Sequence, residues 1–277
     1  MKNREQRVAV ATETVAIIAA GQYTAPSGCC VGIASQMQTA RNGTVMHELS
    51  TLEPLPTCMV TDRGTLEVTT ETTFAALQRL QQEGASNLGC LNFASAKNPG
   101  GGFLTGAQAQ EEALARSSGL YDCLLTQPDY YELNRKNRSC LYLDLAIVSP
   151  CVPFIRNDEG TLLEEPIIAT VITSPAPNAG AVTANEPDAV SRIVPTLKRR
   201  AEMVLRMAVT HGVQNLVLGA WGCGVFRNDP VAVANAFEQL LKPEGDYHGR
   251  FQRVVFAVYT SERERANFDA FHAALSS

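Results

Sequence analysis

Apolar residues follow two rhythms along this chain, one recurring at helical spacing and one in short continuous runs. Residues 4–20 (REQRVAVATETVAIIAA) are good helix formers and stop at Gly21, a residue suited to positive φ at a helix end. Residues 22–70 are mixed: GCCVGIA and TVMHEL look like short strands, separated by the turn residues Pro26, Ser27, Asn42 and Gly43. A second helix is predicted over about 71–83, closed by Gly84. From there the order becomes strand, loop, helix. SNLGCLNFA (86–94) reads as a buried strand, followed by a Gly-rich loop and the helical AQEEALARSSGLY.

LYLDLAIVSP (141–150) and PIIATVITSP (166–175) read as apolar strands ended by prolines. A long helix is predicted over roughly 187–211, then the strand VQNLVLGA (213–220) and the loop WGCGVFRN. A helix over 230–242 follows, capped by Asp229 with Pro230 at its first position. FQRVVFAVY (251–259) is a last strand and 261–275 a last helix. Strands alternating with helices predict an α/β layered domain with helices on both faces. No internal repeat, charge block or low-complexity linker divides the 277 residues, so they read as one domain. About 1–70 form an N-terminal extension and about 71–277 the core.

Composition narrows the classes. Hydrophobic residues at 45% and charged residues at 18% supply a sizeable core and argue against disorder. No apolar run approaches the roughly 20 residues that span a bilayer. With 23 Lys and Arg against 28 Asp and Glu, the net charge of −5 gives no long-range pull toward nucleic acid. Eight cysteines, at 29, 30, 58, 90, 123, 140, 151 and 223, include no C-x-x-C pair and no Cys/His cluster at zinc spacing. His47, His211, His248 and His272 are scattered, so no metal site is expected. The basic, then apolar, N-terminus raises a signal peptide, but Thr12, Glu13 and Thr14 interrupt it and no clean cleavage site follows. The expectation is a reduced, cytoplasmic protein.

Two segments carry candidate chemistry. In NFASAKNPGGGFLTGAQAQEEALARSSGLY (92–121), Gly100, Gly101 and Gly102 strip side chains from a bend, letting backbone amides approach a ligand. Seven residues later come Gln110, Glu111 and Glu112 at a helix start. Adjacent carboxylates there point about 100° apart and cannot share one partner, which suits one orienting a hydroxyl while the other handles a proton. The plain alternative is a solvated helix start favoured by the dipole. In GAWGCGVFRNDP (219–230), Gly219, Gly222 and Gly224 sit at a strand's carboxyl end and open a helix. That is either an anion cradle or a tight turn. Neither G-x-G-x-x-G nor G-K-[ST] is present. Phe226 is a lid over a ligand or core; Cys223 is a nucleophile or a small packing residue. ITSPAPNAG (172–180) is a pocket wall or a rigid connection.

Taken together, these segments resemble the bacterial-type poly(ADP-ribose) glycohydrolases, a branch of the macrodomain fold. That family's signature is GGG, six to eight residues, then QEE. NFASAKNP, ARSSGLY, VITSPAPNAG and GAWGCGVFRNDP look like its other blocks, in the same order, from about Arg7 to the C-terminal helix. The resemblance implies a macrodomain-like three-layer α/β/α fold with a mixed central sheet. It also implies a glycosidase that releases ADP-ribose from poly(ADP-ribose) and ADP-ribosylated proteins, working as a monomer with no cofactor, metal, membrane or direct nucleic-acid partner. By position, Glu112 is the catalytic acid and Glu111 holds ribose hydroxyls. Gln110, Gly100, Gly101 and Gly102 line the distal ribose, with Asn98 a hydroxyl partner. Gly222, Cys223, Gly224 and Val225 hold the diphosphate and Phe226 presses on the distal ribose. An acid near neutral pH needs a raised pKa, so a closed pocket around Glu112 is expected. A non-catalytic ADP-ribose-binding macrodomain and a mono-ADP-ribosyl hydrolase are the other classes this pocket fits.

Overall fold

The computed structural model describes residues 3–52, 55, 64–260 and 265–275. In chain order the elements are α1 (Arg4–Ala20), β1 (Gln22–Thr24), β2 (Cys30–Gly32), α2 (Ala34–Gly43), β3 (Val45–Glu48), β4 (Thr65–Thr69), α3 (Thr73–Gln82) and β5 (Leu88–Phe93). Then follow α4 (Gln110–Ser117), α5 (Leu120–Leu124), α6 (Pro128–Lys136), β6 (Leu145–Arg156), β7 (Leu162–Ser174), α7 (Ala179–Asn185) and α8 (Ile193–Thr210). The last are β8 (Asn215–Leu218), α9 (Pro230–Leu241), β9 (Arg253–Ala257) and α10 (Ala266–Leu275).

A seven-stranded mixed sheet runs β3-β6-β7-β5-β8-β9-β4, with β1 and β2 a separate antiparallel pair. The run from β7 to β4 is parallel, and β3, β6 and β7 pair antiparallel. Successive residues of the central strands enter opposite cores. Cys90, Val171, Val217 and Val255 pack with Leu77, Leu80, Leu114 and Leu120 of α3, α4 and α5 on one face. Leu91, Ile172, Leu216 and Phe256 pack with Val204, Phe237 and Phe271 of α8, α9 and α10 on the other. This is the expected three-layer arrangement.

Several boundaries differ from the sequence reading. Pro150 does not end its strand: β6 continues to Arg156 and forms a long hairpin with β7. The register explains how. Ser149 faces Val171 but Val152 faces Ala169, so one extra residue enters on β6, with Cys151 at φ 54. Prolines are tolerated at such bulges because the ladder is already interrupted. The helix expected from 109 to 121 breaks at Ser118, which is extended and bridges Phe154, leaving α4 and α5. The helix expected from 187 starts as a 3-10 turn, Pro187–Arg192, before α8. α2, α6 and α7 were not anticipated, nor was β4. Of the last predicted helix, 261–264 lie outside the described residues. The segment before residue 70 supplies both edge strands, β3 and β4. Among the described residues, no helix is long and apolar enough to cross a membrane.

Candidate active site

β5 lies between β7 and β8, parallel to both, so all three release their loops at the same edge of the sheet. Such a crevice at the carboxyl ends of parallel strands is where open α/β sheets hold ligands. The three loops touch. The Phe93 ring lies over Gly219, Ala176 lies against Gly222, and Gly180 N–H donates to the Phe226 carbonyl at 3.0 Å.

Gln110 fixes the start of α4 on β5. Pairing with β8 stops at Cys90, and just beyond it the Gln110 amide accepts from Phe93 N–H (2.9 Å) and donates to the Leu91 carbonyl (2.7 Å). It also donates to Thr73 Oγ1 at 3.1 Å. Both ends of this amide are thereby spent on the scaffold. Its neighbour Glu111 turns into the protein and is 3% exposed. Ser95 N–H donates to its Oε2 at 2.6 Å and Asn92 Nδ2 to its Oε1 at 3.2 Å; Asn92 Nδ2 also reaches Thr173 Oγ1 at 3.2 Å. Burial pushes the Glu111 carboxyl up to about 8, against the Ser95 and Asn92 donors, with the Glu112 charge adding to the rise.

Glu112 points elsewhere, as the 100° step between neighbours requires. Its Oε1 accepts from Gly102 N–H at 3.0 Å, and the residue is half-buried. The closed environment expected around Glu112 therefore falls on Glu111, because the helix face bearing Glu111 is the one docked on β5. Both carboxylates meet the triple glycine. Gly101 is left-handed (φ 58), and a methyl group there would collide with Glu112 Oε1 and lie 3.2 Å from Glu111 Oε2. Asn98 is exposed at the start of this turn, its carbonyl accepting from Gly101 N–H at 3.0 Å.

The loop after β8 is pinned at its base and open at its tip. Trp221 is buried, donating from Nε1 to the Ser174 carbonyl at 3.0 Å. Buried Asn228 donates to the carbonyls of Pro177 (2.8 Å) and Gly222 (3.1 Å). At the tip Val225 is 82% exposed and nothing crowds Gly224. Among the described residues, the amides of Gly224, Val225 and Phe226 have no protein partner. Free amides beside the N-terminus of α9 make a cradle for an anion. Burial pushes the Cys223 thiol up to about 12, which suits a packing residue and not a nucleophile. Phe226 is half-buried, its ring 5.9 Å from Tyr142. The 172–180 segment forms a wall: Ala176 abuts Gly222, and Asn178 caps α7 by accepting from Ala181 N–H at 3.0 Å.

Sequence reasoning missed Asn92, Ser95, Thr173, Tyr142 and Asn228. A polar Asn inside the apolar run LGCLNF was the one available signal, since a buried amide needs partners. No group of three or more His, Cys, Asp or Glu side chains suited to a metal ion occurs among the described residues.

The class this geometry defines is a macrodomain-like α/β/α protein with two adjacent carboxylates under a glycine turn, beside an open amide loop suited to an anion. Family comparison narrows it: the microbial-type PARG catalytic domain matches residues 11–157. Poly(ADP-ribose) glycohydrolase from Thermomonospora curvata superposes with a TM-score of 0.93 at 46% identity, over 98% of this chain and 100% of that one. The same enzyme bound to the inhibitor ADP-HPD gives 0.88 at 45%, over 98% and 99%. Poly(ADP-ribose) glycohydrolase from Deinococcus radiodurans in complex with ADP-ribose gives 0.76 at 45%, over 86% and 96%. No curated protein sequence matches significantly. The chain belongs to the microbial-type poly(ADP-ribose) glycohydrolase family, and its activity is that of a glycosidase.

Proposed function

We propose that this chain cleaves the ribose–ribose O-glycosidic bond of poly(ADP-ribose), releasing ADP-ribose, with Glu112 as general acid and then general base. The observation that carries the assignment is the Gly102 N–H held on Glu112 Oε1, which aims a half-buried carboxyl into the crevice at the glycine turn. In the first step Glu112 gives its proton to the departing ribose oxygen as the C1–O bond breaks. The distal ribose becomes oxocarbenium-like, and the adjacent diphosphate offsets its charge. In the second step water adds to C1 and its proton returns to Glu112. The substrate's own phosphates and the closing of the crevice supply the environment that keeps Glu112 protonated.

Glu111 serves binding. Burial raises its carboxyl to about 8, which favours the protonated form near neutral pH, so its O–H can donate to a ribose hydroxyl. Gly100, Gly101 and Gly102 wrap the distal ribose, with Asn98 at its rim. Gly222, Gly224 and Val225 offer main-chain amides to the diphosphate, whereas the Cys223 N–H expected there is already spent on the Ala220 carbonyl at 3.1 Å, and Phe226 presses on the distal ribose. Gln110 contributes indirectly, by fixing α4. The protein is proposed to act on ADP-ribosylated proteins as a monomer, without cofactor, in the cytoplasm; free thiols at the seven described cysteines support a reducing compartment.

Turnover of labelled polymer, an ADP-ribosyl-serine peptide and free ADP-ribose tests the reading. Release of ADP-ribose from polymer, unaffected by chelator, supports it. Glu112→Gln should keep ADP-ribose binding within a few-fold and lose about 10²–10⁴-fold in rate. Substantial residual turnover in that variant would remove Glu112 from the role of acid.

A further inference from the structure

The chain between the triple glycine and α4 is held by three guanidinium groups from outside it. Gly102 begins a 3-10 turn over Phe103–Thr105. The carbonyls of Thr105, Gly106 and Ala107 then leave the turn without a main-chain partner among the described residues. Each accepts from a different arginine. Arg4 Nε reaches Thr105 O at 2.8 Å, Arg7 Nε reaches Gly106 O at 2.8 Å, and Arg116 Nη1 reaches Ala107 O at 2.7 Å. Arg116 uses the other arm of its fork on Gln108 Oε1.

This accounts for the face that α1 turns to the loop, exposed at Arg4 and buried by Ala11 and Thr14. Arg4, Arg7, Val8, Ala11 and Thr14 recur at three- and four-residue steps, one helical stripe. Gly106 meets the backbone of Arg4 and the Val8 side chain so closely that any side chain on it would collide. Ala11 packs with Phe103 and Ala115. Thr14 Oγ1 donates to the Arg116 carbonyl at 2.7 Å, tying the stripe to α4 itself. Arg116 is 1% exposed; burial pulls its guanidinium down to about 10, with the Glu112 charge opposing the fall, so it stays charged at neutral pH.

We infer that Arg4, Arg7 and Arg116 are positioning residues that set where the Gly100–Gly102 turn stands relative to Glu112. The inference rests on the assignment of Glu112 as acid. Hydrogen bonds from charged donors are shorter and about twice as strong as neutral ones, which suits them to fixing a loop that carries few side chains of its own. The Gly102 N–H that orients Glu112 lies three residues from the first strapped carbonyl. Slack in the strap is therefore passed to the carboxyl that moves the proton.

The test compares Arg4→Ala/Arg7→Ala, Arg4→Lys/Arg7→Lys and Arg116→Lys with Arg41→Ala, which removes an exposed ion pair to Asp122 elsewhere. Melting temperature, ADP-ribose affinity by calorimetry, and kcat and KM on labelled polymer are read on each. The alanine pair should lower kcat by about 10- to 100-fold, as small misplacements of reacting groups do. KM and ADP-ribose affinity should change less than kcat, because the diphosphate loop is untouched and only the turn at the distal ribose is displaced. The lysine pair should recover most of kcat, since each carbonyl needs only one charged donor. Arg116→Lys should not recover, since one ammonium cannot reproduce a fork on two fixed acceptors. If the alanine pair melts below assay temperature, Arg116→Lys decides on the same split. Wild-type kcat in the strap variants, or a loss no larger than in Arg41→Ala, overturns the inference. Free turnover by Glu112→Gln would instead overturn the assignment beneath it.

Discussion

At the scale of single residues the site turns on a contrast between neighbours. Glu111 and Glu112 differ by one position, yet one is sealed against β5 and the other is aimed at the crevice. Gly101 is where both meet, and a residue without Cβ fits best: its φ is 58 and the added atom would strike Glu112 and crowd Glu111. Gly101→Ala should cost about 1–3 kcal/mol of stability from backbone strain. It should cost proportionately more in kcat, read by comparing chemical denaturation with polymer turnover. A loss of stability with intact kcat would show that the carboxyls tolerate displacement. Phe226 poses the opposite case. Its ring is half in water and rests on Tyr142, so Phe226→Ala should cost less than the roughly 3–5 kcal/mol of a fully buried ring. Turnover should still fall about 10²-fold if the ring sets the ribose angle. A large drop in melting temperature with normal specific activity of the folded fraction would place Phe226 in the core instead.

At the scale of elements, what was legible in the sequence had a local cause. α9 was readable because Asp229 and Pro230 fix its start, and the Asp229 side chain indeed accepts from Val231 N–H at 3.1 Å. Asp229→Ala should therefore destabilise the protein by about 1 kcal/mol in urea unfolding, and no change would mean the cap is satisfied by water. β5, β8 and β9 were readable as apolar runs because both their faces are covered. The β6–β7 hairpin was not, because its signal is long-range: only pairing with β7 across a bulge lets β6 pass Pro150 and Pro153. The glycine turn and the carboxylate pair were visible as a spacing. That Glu111, not Glu112, is the buried one was not visible, because it depends on Gln110 docking to β5. The arginine strap was hidden for a similar reason: two of its three donors, Arg4 and Arg7 on α1, lie about 100 residues from the carbonyls they hold.

At the scale of the whole molecule, a buried carboxyl makes folding stability depend on pH, and the sign is fixed by the direction of its shift. Glu111 in the fold holds its proton up to about pH 8, against an ordinary 4.5. Below about 4.5 both folded and unfolded chains carry that proton, and the contribution is fully present. Between about 4.5 and 8 only the folded chain carries it, so stability on this account falls as pH rises and levels off above 8. His47 and His211 act the other way. Burial lowers both, so the folded chain resists their protonation and stability is lost as pH falls below the ordinary 6.5. Total stability thus mixes opposing slopes, and the Glu111 part is best isolated as a difference. Glu111→Gln keeps the shape and removes the titration. Wild-type stability minus that of the variant should decline by a few kcal/mol, on the order of one per pH unit, between pH 5 and 8 and then stay flat. Urea unfolding of both proteins across that range measures it. A difference that is already flat between pH 5 and 8 would mean the donors from Ser95 and Asn92 outweigh burial and Glu111 is ionised in the fold, which would also withdraw its proposed O–H donation to the ribose.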